Sequence, residues 1–259
     1  MKNIVKAQFF QIVRDKIIRY MLVITLIMQI LIVMFPLWLG NEEPTSAGEF
    51  FSTQGGITLM FATYYLILAT AQICGADFMD KTHNYELLGG HRRFEVYFGR
   101  VIVAAIVGGV GALFFTILPI GIYGALYGWG TKVTFSQVLI RWLLMLLPYL
   151  RMVAEFAFLT FLLKNPYIVM GLGYVIFMIS SMLVESLIGV GSVFLGITNL
   201  SLLSMVSKWG TYGLGGDMNY IYNASLGADT IFATIAASVV IGAAALYLGY
   251  VFFKNDDMN

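Results

Sequence analysis

Cysteine, charge and the usual signatures of catalysis are all scarce in this chain. Cys74 is the only cysteine among 259 residues, which excludes an internal disulfide and any metal cluster built on several thiolates. Only 11% of the residues are charged, and the net charge of +1 includes no basic face able to track a phosphate backbone, so nucleic acid is not expected as a partner. No G-x-x-x-x-G-K-[ST] run occurs, so the chain has no phosphate-cradling loop of the usual nucleotide-hydrolysing kind; H-E-x-x-H and G-x-S-x-G are missing too. His83, His91 and Cys74 fit no compact metal site, and no metal is expected. No internal repeat relates the first half to the second, which weakens a secondary-transporter reading built on inverted repeats.

What is present is apolar. The chain is 59% hydrophobic, with 20 Phe, 15 Tyr, 14 Met and a mean hydropathy of +0.85, against about 45–50% apolar residues in soluble domains. The expected fold class is an all-α membrane protein. Crossing a hydrocarbon core takes about 20 residues of helix, and this length accommodates six spans as one transmembrane domain, residues 1–259. The spans are expected over Ile17–Leu39, Gly56–Ala76, Val101–Tyr127, Gln137–Leu163, Tyr167–Leu187 and Ile231–Phe253. Before them, Val5, Phe9, Ile12 and Val13 recur at helical spacing with Lys2, Lys6, Arg14 and Lys16 mostly away, which predicts an interfacial amphipathic helix. A cleaved signal peptide is the rival reading, but the apolar run from Tyr20 to Leu39 exceeds the ~7–15 residues of a signal core. Between Ile188 and Thr230 no run is clean enough for a span, and short re-entrant or interfacial outer helices are expected there.

Lys and Arg settle the expected orientation. Eleven lie at the N-terminus, in the stretch between spans 2 and 3, at Lys164 and in the tail, whereas the opposite side holds Lys132 and Lys208. By the positive-inside rule both termini face the cytoplasm of a multi-pass cell-membrane protein.

Four intramembrane charges stand out. Arg151 and Glu155 are four apart near the middle of span 4, where they can pair within the helix, either as polar lining of a path or as a buried structural ion pair. Arg141 and Glu185 would lie at similar depth on antiparallel neighbours; snorkelling of Arg141 to head groups is the other reading. Small residues at Ala104, Gly108, Ala112, Ala245 and Gly249 mark close-packing faces, within the bundle or between two copies.

The most unusual stretch is "DFMDKTHNYELLGGHRRFEVYFGR", Asp77 to Arg100, which gathers eight of the 29 charged residues and both histidines into 24 positions. Thr82 is a candidate N-cap, Tyr85, Glu86, Leu87 and Leu88 form a short helix, and the Gly pair at 89 and 90 ends it. A helix of this kind suits docking into a groove on a soluble partner; a solvated loop anchored by its arginines is the plainer alternative.

At these residues the chain resembles the permease subunits of type-2 ATP-binding-cassette exporters. Asp77 matches an acidic position, Thr82 the Thr, Leu87 and Leu88 the helix leucines, Arg92 or Arg93 the Arg and Arg100 the final basic position, while Lys81 replaces the usual Gly and "GGH" a common Pro-x-Ser. The resemblance extends to the whole layout. It implies a coupling helix contacting a separate cytoplasmic ATPase subunit through Thr82, Tyr85, Glu86, Leu87, Leu88, Arg92 and Arg93, with ATP and Mg on that partner and no cofactor in this chain. It also implies a second copy of the chain across the path, and outward movement of a hydrophobic or amphipathic substrate such as a peptide, lipid or drug. An ion-driven transporter or channel using Arg151 and Glu155 is the alternative function. An integral membrane enzyme or an immunity protein acting alone is a third; for the enzyme no nucleophile or acid/base constellation is seen.

Overall fold

The computed structural model describes residues 2–39, 46–79, 87–131, 133–188 and 228–255. All of the regular structure among them is helical. In chain order, α1 is Lys2–Arg14, α2 Lys16–Leu39, α3 Ala47–Met79, α4 Arg93–Tyr127, α5 Phe135–Leu163, α6 Pro166–Ile188 and α7 Ala228–Lys254. Among the described residues, Arg93–Tyr127, Phe135–Leu163 and Ile231–Lys254 are each long and apolar enough to cross a membrane. Their composition and length make this a membrane-associated helical protein. The outer segment between spans 5 and 6, expected as re-entrant helices, lies outside the described residues.

Helix α3 runs through the centre of the bundle, in contact with α2, α4, α5 and α6. Every residue from Ala69 to Gly75 is buried, so no face of this stretch is left for lipid or water. It also starts earlier than sequence suggests. The acidic run before it reads as loop, yet the helix begins at Ala47, because Phe50 and Phe51 bury against Ile120, Tyr123 and Val138 in a second small core. Phe50 stacks on Tyr123 with ring centroids 4.2 Å apart, which fixes this end of α3 to α4.

The small-residue faces are consumed inside the chain. Gly108, in a π-helical turn at Ala105–Gly109, faces Leu66 and Thr70 of α3. The turn inserts a residue into the helical register and so re-aims the rest of α4. Helix α7 lies along α5, with Gly242 over the backbone of Arg151 and Gly249 over that of Phe158. A Cβ on Gly249 would stand 2.4 Å from the Tyr97 hydroxyl oxygen, and that hydroxyl donates to the Leu246 carbonyl across 3.0 Å. Gly249→Leu is therefore expected to push α7 off Tyr97 and cost about 1–3 kcal/mol or more by overpacking. A fall in melting temperature of the detergent-solubilised chain checks this, with the exposed-site control Val239→Leu unchanged.

The N-terminal helix is amphipathic, and its inward face matches the expected one at Val5, Phe9 and Ile12 but not at Val13. Ile4, Gln8 and Ile12 are buried, Val5 and Phe9 partly so, and Val13 points outward. The reason is packing on α4: a Cβ at Gly99 would meet the Ile4 side chain at 2.9 Å, so the absent side chain is what lets α1 lie close.

Candidate functional site

Four helices converge where the charged stretch begins and ends. Asp77 lies near the last turn of α3 and Arg100 in the second turn of α4, on either side of the connecting segment. Their side chains meet: Arg100 Nη2 is 2.7 Å from Asp77 Oδ2, with the arginine side chain 0% exposed and the aspartate 8%. Two amides from α1 also reach the aspartate. Gln11 Nε2 donates to Asp77 Oδ1 across 3.1 Å and Gln8 Nε2 to Oδ2 across 3.5 Å. A carboxylate this deeply buried is tolerated only when paired and hydrogen-bonded, and here both conditions are met.

A second polar knot continues the first. Asp15 fills the break between α1 and α2 and caps α2, accepting the Ile17 backbone N–H at 2.7 Å through Oδ1. Its other oxygen accepts from Gln72 Nε2 of α3 at 3.0 Å. Through these bonds α1 and the start of α2 are tied to α3, and through Asp77 and Arg100 to α4.

Arg93 ties in the last helix. Its Nη1 donates to the Phe253 carbonyl at 3.2 Å and the Lys254 carbonyl at 2.6 Å, satisfying carbonyls at the C-terminus of α7 with a positive charge where the helix dipole favours one. An aromatic cluster of Tyr97, Phe161 and Phe253 lies beside it.

The other candidate residues divide clearly. Thr82, Tyr85 and Glu86 lie outside the described residues, as does His83. Leu87 and Leu88 form the last helical turn before Gly89 and Gly90, and Gly90 adopts a φ of +85°, the left-handed conformation that ends a helix. Leu87 packs against the core, whereas Leu88 is 75% exposed. Arg92 is exposed at the start of α4, and His91 lies 3.8 Å from Glu95 at the surface. Cys74 is fully buried, and the described residues hold no group of three His, Cys, Asp or Glu side chains suited to a metal ion.

Arg151 and Glu155 pair within α5, Nε to Oε1 at 2.7 Å, with Arg151 buried beneath Gly242 of α7. Arg141 is only 1% exposed, so it turns into the protein and does not snorkel outward. Glu185 belongs to α6, but its side chain is outside the described residues, and with it the proposed pairing to Arg141.

Neither a protein-family model nor a curated protein matches this chain. The site therefore has to be read on its own chemistry. It is one buried ion pair, Asp77 with Arg100, and a set of amides and a carboxylate that bind helix ends together. Sequence reasoning placed Asp77 and Arg100 at the two ends of one stretch without joining them, and overlooked Gln8, Gln11, Asp15 and Gln72. The available signal was spacing: Gln8, Gln11 and Asp15 fall at i, i+3 and i+7, the spacing of one helical face.

Proposed function

We propose that this chain is the membrane-spanning subunit of an ATP-driven exporter, with ATP and Mg bound by a separate soluble ATPase subunit. The observation that carries this reading is the clamp between Asp77 and Arg100, which joins both ends of the charged connecting segment to each other and to α1. A segment held this way is a handle. Force applied to residues between 78 and 99 reaches α3 and α4 together, α1 through Gln8 and Gln11, and α7 through Arg93. The exposed Leu88 at the segment's end offers an apolar contact for a partner surface.

In this reading the chain crosses the membrane six times, with both termini and the handle on the cytoplasmic side. Two copies enclose a path for a hydrophobic or amphipathic substrate, and two ATPases draw together on binding nucleotide. The lack of a phosphate-cradling loop fits a division of labour in which hydrolysis happens elsewhere. The intrahelical bond of Arg151 to Glu155, under the backbone of α7, fits a structural pair better than a proton relay.

Affinity purification of the chain from its native membrane tests the assignment. A soluble ATPase is expected to come with it, in a complex holding two copies of this chain. Reconstituted transport that proceeds without any ATPase and follows a proton gradient would contradict it.

A further inference from the structure

We infer a lipid site that does not depend on the exporter reading: a cleft at the elbow of α1 and α2 that takes the head group of a phospholipid bearing a primary ammonium. The cleft has a volume of about 530 Å³, within the ~300–1,000 Å³ typical of small-molecule sites. Its polar side is built from Gln11, Arg14, Asp15 and Gln72, and Ile17 and Tyr167 stand among its apolar walls.

The polar groups divide by sign. Arg14 is exposed and its guanidinium carbon lies 4.1 Å from the centroid of the Phe10 ring, a cation held in place by stacking and left to bind a phosphate. Asp15 supplies the opposite charge one residue away, each of its oxygens already accepting one bond and keeping a further lone pair. Gln72 is only 4% exposed and its Oε1 is buried without a donor. Gln72 lines both the cleft and a void of about 10 Å³ shared with Gln8 and Asp77, room for at most a single water, and its amide nitrogen holds Asp15 in place.

One cation and one anion with open lone pairs describe a zwitterion with N–H donors. The phosphate sits at Arg14 and the ammonium reaches the open lone pairs of Asp15. A choline head carries the same charges but has no N–H to donate, and an anionic glycerol head brings no cation to Asp15. The apolar flank suits acyl chains: Ile17, Tyr20 and Ile24 succeed one another along one face of α2, with Tyr20 and Ile24 exposed, and Tyr167 and Tyr174 do the same on α6. The surrounding Lys16 and Arg19 set this elbow at head-group level.

Native mass spectrometry of the full chain in detergent, titrated separately with phosphatidylethanolamine, phosphatidylcholine and phosphatidylglycerol, tests the site. The ethanolamine lipid should bind roughly fivefold or more tightly than either of the others, the scale of one net hydrogen bond. Arg14→Gln, at an exposed position that leaves the fold intact, should weaken it by a similar factor, and Asp15→Asn, whose side-chain oxygen still accepts the Ile17 N–H, should erase the preference over choline. Water-soluble glycerophosphoethanolamine should not compete. Equal binding of ethanolamine and choline lipids, tighter binding of the glycerol lipid, or indifference to Arg14→Gln overturns the inference. Full competition by the soluble head group overturns its assignment to a lipid.

Discussion

Arg100→Met should be among the most destabilising single substitutions in this protein, costing about 3–5 kcal/mol, the scale for breaking a buried pair by removing one partner. The loss comes from what stays behind. Asp77 is left charged and buried without the guanidinium that lay 2.7 Å from it, and the amides of Gln11 and Gln8 carry no charge to replace it. Asp77→Asn has the converse defect, since the guanidinium of Arg100 is fully buried and loses its counter-charge. The double variant Asp77→Asn with Arg100→Met removes both charges while the Asn side-chain carbonyl still accepts from Gln11. It should recover much of the loss, giving a coupling of about 0.5–3 kcal/mol between the two sites. Melting temperatures of the four proteins in one detergent measure this cycle. Additive losses would mean that the two groups do not act as a pair.

Leu88→Asp should do the reverse, leaving the fold alone and abolishing coupling. At 75% exposure Leu88 contributes little to the chain's own packing, and surface changes usually lie within about 0.5 kcal/mol. A leucine at the centre of a docking contact carries about 2 kcal/mol or more of binding energy, so stimulation of the partner ATPase should fall on the order of tenfold or more. Leu87→Asp is the informative contrast. Leu87 packs on the core, so its substitution lowers the melting temperature as well. Tyr85→Asp should behave as Leu88→Asp does if Tyr85 shares the docking face. An unchanged ATPase rate in a correctly inserted Leu88→Asp protein would remove the docking idea.

Much of this architecture was legible in the residues. Apolar runs long enough to cross a bilayer placed the helices Phe135–Leu163 and Pro166–Ile188 to within a few residues, with Pro166 opening its helix after Lys164 in the left-handed conformation. The i, i+4 spacing of Arg151 and Glu155 gave their pairing directly. What was hidden needed the third dimension. The early start of α3 depends on Phe50 meeting Tyr123, which is 73 positions away in the chain and leaves no periodic trace. The inward face of α1 was legible in part: Val5, Phe9 and Ile12 face the core, but Val13 does not and Gln8 does, because a buried glutamine with a carboxylate to satisfy is as much a core residue as Ile12 one turn on. Local pattern shows which residues are polar; it does not show which polar residues find one another.

The central claim is that the Asp77–Arg100 clamp transmits motion between the connecting segment and the helices. The direct measurement is ATP turnover by the purified complex with its native ATPase, comparing the wild-type chain with the Asp77→Asn, Arg100→Met double variant at matched amounts of bound ATPase. The variant is predicted to keep its fold and its partner and to lose stimulated turnover at least about tenfold, as expected when a coupling contact worth ~1.4 kcal/mol or more is gone. A folded double variant that stimulates its ATPase as the wild type does would contradict the account.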